Sequence, residues 1–212
     1  MNEVFKRIGE IGIVPVIKLN DPGNAYPLAK AMIKGGIPVA EVTFRAAGAP
    51  KAITAMRDSF PNMLVGAGTV LTKDHAAEAI DAGASFIVAP GFNHEVVKYV
   101  CSRNVPVLPG VMTPTEIETA LNEGLDTVKV FPAEAAGGIE MIKAMAAPYS
   151  NVRFVPTGGI NIDNIEKYLA YDRILACGGS WMVKESLIDS GQFDKITELC
   201  REAVQIRERI WK

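Results

Sequence analysis

A single (β/α)8 barrel domain over residues 1–212, with a short N-terminal helix, is the fold that the sequence predicts. Eight short apolar runs rich in β-branched residues recur with their C-terminal ends about 19–27 residues apart, room for one strand, one helix and two short loops. The runs are nearly continuously apolar, as strands covered on both faces of a parallel sheet must be. The first run ends IKLNDPG, without the GxGxxG turn that marks an open doubly wound sheet, the nearest alternative.

The elements follow in order. IVPVI (13–17) is the first strand, after the N-terminal helix. Gly35-Gly36 stops the next helix ahead of VAEVTF (39–44), because glycine accepts the left-handed conformation of a C-cap. MLVGAG (63–68) is the third strand; its continuation GAGTVL (66–71) imitates part of a dinucleotide turn but lacks the third glycine. Gly83 closes the helix before SFIVAP (85–90), and Asn93 caps the helix after it. VPVLPG (105–110) leads to Thr113-Pro114-Thr115-Glu116, an N-cap, a first-turn proline and a capping-box glutamate, with Gly124 at the far end of that helix. DTVKVFP (126–132), VRFVPT (152–157) and RILACGG (173–179) complete the set, with Asn161 as a cap after the seventh. No charge block, low-complexity tract or Gly/Ser linker divides the chain.

Composition narrows the function. With 22 Lys and Arg against 24 Asp and Glu the net charge is −2, which offers no broad footprint for nucleic acid or an anionic membrane surface. No apolar run approaches a membrane span, and MNEVFKRIGEIG has no secretory profile. Cys101, Cys177 and Cys200 are far apart and read as free thiols in a reducing cytoplasm. The two histidines, His75 and His94, both sit at helix starts and read as solvated. That predicts no metal centre and no Ser-His-Asp triad.

The candidate chemistry lies at strand ends, where barrels place it. Alternation puts Thr127, Lys129 and Phe131 on one face of the sixth run; if Val128 and Val130 pack against helices, Lys129 points into the barrel. A buried amine is more readily neutral, and a neutral amine attacks carbonyl carbon to form an imine. In EVTFR (41–45), Glu41, Thr43 and Arg45 share a face. Glu41 lies deep, as a general acid/base, and Arg45 nearer the mouth, with a planar fork suited to a carboxylate. The alternative is a structural Lys129–Glu41 ion pair, although apolar residues often serve stability as well. TGG (157–159) and GGS (178–180) end the last two strands; paired glycines there let backbone N–H groups reach a phosphate, with Thr157 and Ser180 beside them. Read otherwise, they are tight turns.

EVTFR, GAGTVL, APG (89–91), PGVMTPTE (109–116), VKVFPAE (128–134), RFVPTGGI (153–160) and GGSWMV (178–183) resemble the 2-keto-3-deoxy-6-phosphogluconate (KDPG) and 4-hydroxy-2-oxoglutarate (KHG) aldolase family from about residue 8 to 205. The resemblance implies a class I, metal-free and cofactor-free aldolase on a (β/α)8 barrel, forming a homotrimer. Its substrate would be a phosphorylated 2-keto acid, cleaved to pyruvate and glyceraldehyde 3-phosphate. By motif, Lys129 is then the Schiff-base lysine and Glu41 the general acid/base. Arg45 and Thr69 hold the pyruvate part, and Thr157, Gly158, Gly159, Gly179 and Ser180 line the phosphate end.

Where many relatives carry Arg-Thr, Ala46 and Ala47 follow Arg45, removing a hydroxyl near the mouth. C4 stereochemistry stays open between gluconate- and galactonate-derived substrates. Lys18 is weighed as an added rim charge. Two other readings remain: a sugar-phosphate isomerase or epimerase, and a silent phosphate-ligand sensor. Neither has a use for a mid-strand lysine.

Overall fold

The computed structural model describes residues 2–211. Helix α1 (Glu3–Ile11) is the short N-terminal helix; Asn2 accepts from the Val4 amide at its start, and Gly12 ends it at φ 74°.

Nine short strands follow: β1 (Ile13–Ile17), β2 (Val39–Thr43), β3 (Leu64–Gly68), β4 (Ile87–Val88), β5 (Val107–Leu108), β6 (Gly110–Val111), β7 (Thr127–Val130), β8 (Arg153–Pro156) and β9 (Cys177–Gly179). Each of the eight apolar runs supplies strand. The fifth is divided into β5 and β6 at Pro109, which has no N–H to give to a ladder. The remaining helices are α2 (Ala25–Lys34), α3 (Ala49–Ser59), α4 (Lys73–Asp81), α5 (His94–Ser102), α6 (Pro114–Asn122), α7 (Gly138–Ala146), α8 (Ile165–Leu169), α9 (Glu185–Asp189) and α10 (Phe193–Ile210).

Strand pairing is parallel throughout. One sheet has the order β5-β4-β3-β2-β1-β9, the other β6-β7-β8. The Pro109 carbonyl between β5 and β6 accepts from the Lys129 amide at 2.9 Å, and isolated bridges join Phe154 to Ile174 and Thr157 to Gly178. The architecture is a curled parallel α/β sheet with helices between strands, its pairing divided between two sheets instead of one unbroken eight-stranded ladder.

Local chemistry explains the helix ends. Thr113 and Glu116 form the reciprocal capping box at α6, and Asn93 accepts from the Glu95 and Val96 amides at α5. Gly36, Gly83 and Gly124 are left-handed (φ 90°, 93° and 76°) just beyond α2, α4 and α6. Asn161 does not cap α8 directly. It accepts from the Asp163 amide in a turn, and the helix opens at Ile165 after Asn164.

The strands are buried on both faces. Val128 and Val130 are fully enclosed in the core cluster with Val42, Ala67 and Phe154, which leaves Lys129 for the opposite side of β7. Register sets Glu41 of β2 level with Val16 of β1 and Gly66 of β3, and Lys129 level with Gly110 of β6 and Val155 of β8.

Candidate active site

The C-terminal ends of the strands surround a cavity of about 290 Å³. All nine residues singled out in the sequence line it: Glu41, Arg45, Thr69, Lys129, Thr157, Gly158, Gly159, Gly179 and Ser180. Lys18 does not. It lies at the rim, where its ammonium is 2.8 Å from Glu185. Hydrogen bonds from Lys18 and then Asn20 hold the Glu185 carboxyl below the usual range.

At the centre, Lys129 Nζ lies 3.4 Å from Glu41 Oε1, and the side chains are 6% and 4% exposed. A pair so enclosed keeps strong mutual attraction but carries a desolvation cost, so its value for stability alone is small. The ring of Phe131 covers the amine, with Nζ 5.3 Å from its centroid.

Room for the carboxylate comes from β3. A Cβ at Gly68 would collide with the Glu41 carboxylate, and one at Gly66 with the Phe86 ring. The glycines of GAGTVL therefore serve close approach of side chains, which explains why the motif only half imitates a nucleotide turn. Thr69, which follows, stands at φ 57°, a costly conformation for a β-branched residue and one that marks functional segments.

Arg45 is aimed by its neighbour on the same strand face. Its Nε donates to Thr43 Oγ1 at 3.3 Å, and Thr43 Oγ1 donates to the Ile17 carbonyl at 2.8 Å. The guanidinium is thus fixed over the mouth through β1.

At the other end, Gly158 and Gly159 take φ of 98° and 83°. Thr157 Oγ1 is buried without a hydrogen-bond partner and lines the cavity. A Cβ at Gly178 would strike that hydroxyl, and one at Gly179 the Trp181 ring. Both GG pairs therefore meet packing demands as well as opening backbone to the cavity. After Ser180 comes one 3-10 turn, Trp181–Val183.

Sequence reasoning gave no role to Phe131, Thr43, Val16, Pro90 or Ile160, which also line the cavity. Phe131 and Thr43 were visible on the shared faces of their strands; the other three carry no chemical signal. His94 is exposed at the start of α5, whereas His75 is half-buried with its ring 5.5 Å from that of Phe44. His75 is thus a packed helix-start residue, not a solvated one. The cysteines are free, with Cys177 and Cys200 buried. Among the described residues no group of three or more His, Cys, Asp or Glu is arranged to hold a metal, and no helix is long and apolar enough to cross a membrane.

Fold and site define a class: a parallel α/β protein with a buried lysine–carboxylate pair and a glycine-lined end in one cavity at the strand termini. Comparison with known proteins gives the family. The model of the "KDPG and KHG aldolase" family matches residues 4–199. The chain is 48% identical to the 2-dehydro-3-deoxy-phosphogluconate aldolase of Treponema pallidum, over 97% of this chain and 98% of that one. Among solved structures it is similar to the KDPG aldolase of Legionella pneumophila with pyruvate captured as a covalent carbinolamine intermediate (TM-score 0.92, 39% identity, 96% and 98% coverage). The KDPG aldolase of Zymomonas mobilis ZM4 with 3-phosphoglycerate is also similar (TM-score 0.89, 38% identity, 95% coverage of each). The chain belongs to the KDPG and KHG aldolase family.

Proposed function

We propose that the chain is a class I aldolase, a lyase that cleaves 2-keto-3-deoxy-6-phosphogluconate to pyruvate and glyceraldehyde 3-phosphate through an imine on Lys129. The observation that carries the reading is the Lys129–Glu41 pair, 3.4 Å apart and buried in the cavity. An amine there meets substrate only through the mouth, and a carboxylate beside it can pass protons without admitting bulk water.

In the proposed reaction the neutral Lys129 amine adds to C2 of the keto acid. Glu41 supplies the proton with which the carbinolamine hydroxyl leaves as water. The resulting protonated imine draws electrons. When a base removes the C4 hydroxyl proton, the C3–C4 bond breaks, its electron pair moves onto C3 as an enamine, and C4 leaves as the aldehyde. Protonation at C3 restores the imine, and water adds at C2 to release pyruvate and the amine. Arg45 and Thr69 hold the carboxylate end; Thr157, Gly158, Gly159, Gly179 and Ser180 hold the phosphate. No metal or cofactor takes part in this scheme.

The same site without its phosphate contacts would accept 4-hydroxy-2-oxoglutarate, giving pyruvate and glyoxylate. A coupled assay of pyruvate release from 2-keto-3-deoxy-6-phosphogluconate, its galactonate epimer and 4-hydroxy-2-oxoglutarate tests this. The gluconate-derived compound is expected to have the highest kcat/KM, and release from none of the three would overturn the function.

We further propose that the two sheets close as one eight-stranded barrel in a single domain. The short β5–Pro109–β6 link and the bridges from β8 to the β9 segment support closure. The proposed assembly is a cytoplasmic homotrimer, which the resemblance implies. Leu71 and Met112, 48% and 40% exposed just after β3 and β6, are apolar surface that such an assembly could cover. Sedimentation at micromolar concentration tests it.

A further inference from the structure

We infer that Asn164, outside the cavity, is a positioning residue that turns the Ile160 backbone amide toward the substrate phosphate, beside a Gly159 amide that Glu134 sets; this rests on the phosphate end proposed above. The Gly158 carbonyl accepts from the Glu134 amide at 3.0 Å. The Gly159 carbonyl accepts from Asn164 Nδ2 at 2.9 Å. Neither Glu134 nor Asn164 lines the cavity, whereas Gly158, Gly159 and Ile160 do.

In a planar trans peptide the C=O and the following N–H point in opposite directions. Pinning the Gly158 oxygen therefore directs the Gly159 N–H away from Glu134, and pinning the Gly159 oxygen directs the Ile160 N–H away from Asn164. Among the described residues neither amide donates to a protein acceptor. Thr157 Oγ1 beside them is buried and unpartnered. Three adjacent donors without protein acceptors make an anion cradle, and successive backbone N–H groups aimed at one point are how proteins commonly hold phosphate.

Asn164 is itself set from two sides. Its Oδ1 accepts from the Asn161 amide at 2.8 Å, which fixes the amide group so that Nδ2 faces Gly159. Asn161 Nδ2 reaches the same carbonyl only at 3.5 Å, the weaker of the two contacts. Asn164 is thus the residue whose loss frees the 159–160 peptide to rotate.

The test measures KM and kcat for 2-keto-3-deoxy-6-phosphogluconate, and the half-saturating pyruvate concentration in borohydride trapping, which involves no phosphate. It compares wild type with Asn164→Ala, Asn164→Asp and Ser180→Asp. Asp keeps the acceptor for Asn161 but has no donor for Gly159. Both Asn164 variants should raise KM about tenfold, as loss of one hydrogen bond to a charged group does, with pyruvate half-saturation and melting temperature nearly unchanged. Wild-type KM in either Asn164 variant, while Ser180→Asp raises it, would overturn the positioning role and leave the phosphate end standing. Equal losses toward pyruvate and the phosphorylated substrate would make Asn164 merely structural. If Ser180→Asp also leaves KM unchanged, the phosphate end itself is misassigned.

Discussion

Lys129 on β7 and Glu41 on β2 lie 88 residues apart in the chain, yet their side chains meet at 3.4 Å inside the cavity. Parallel pairing makes this possible, because every strand ends on the same side and each inward side chain faces one shared space. Two groups of opposite charge in that space strengthen one another far more than they would in water. They also cost desolvation, which a functional role justifies better than stability does.

Glu41→Gln keeps shape and hydrogen bonding but cannot exchange the proton. Turnover is expected to fall by about 10²–10⁴, while pyruvate still reaches Lys129 and forms the trapped adduct more slowly. Steady-state kinetics on the folded variant checks this; an unchanged kcat removes Glu41 from the proton transfers.

Thr43→Val tests how Arg45 is aimed. The isostere removes the acceptor for Arg45 Nε and the donor to the Ile17 carbonyl. Leaving that buried carbonyl short of a partner costs about 1–3 kcal/mol in stability, readable by denaturant titration. Half-saturating pyruvate should rise several-fold, as expected when a bidentate clamp loses its orientation. A stability loss with unchanged pyruvate affinity would mean that Arg45 is set by other contacts.

Gly159→Val is expected to destabilise as well as inactivate. The position needs φ 83°, and a Cβ would sit 2.6 Å from the Glu134 Cβ. Strain of this kind costs about 1–3 kcal/mol, so thermal melting should drop by several degrees. Ser180→Asp carries no such strain and isolates the like-charge effect on phosphate.

Tyr168→Phe gives a pH signature. The Tyr168 hydroxyl donates to Glu134 Oε1; this bond, followed by Lys167, holds the Glu134 carboxyl below its ordinary range. A carboxyl lowered on folding adds stability above its unfolded value, and that stability is lost as pH falls through the folded value. Wild type should therefore exceed Tyr168→Phe in stability by about 1 kcal/mol near neutrality, with the gap narrowing below the ordinary glutamate range near pH 4. A gap that stays constant down to pH 3 would contradict the coupling.

Much of this was legible in the sequence because the signals were local. Strand runs, the Thr113–Glu116 box and the glycine stops at Gly36, Gly83 and Gly124 each depend on a few neighbouring residues. Alternation sufficed to turn Lys129 and Glu41 inward, since one face of each strand is wholly apolar. What stayed hidden depends on distant contacts. The half-burial of His75 follows from where Phe44 lands. The brace of Asn164 on Gly159 joins a loop to the turn before α8, and nothing in the spacing of those residues announces it.

The most direct test is mass spectrometry of the protein after incubation with pyruvate and borohydride. Formation of the imine and its reduction should leave one pyruvyl-derived group on the peptide containing Lys129, dependent on pyruvate and absent in Lys129→Arg. Chelator should not reduce the yield. Modification of a different lysine, or none in active protein, would contradict the account and return the Lys129–Glu41 pair to a structural ion pair.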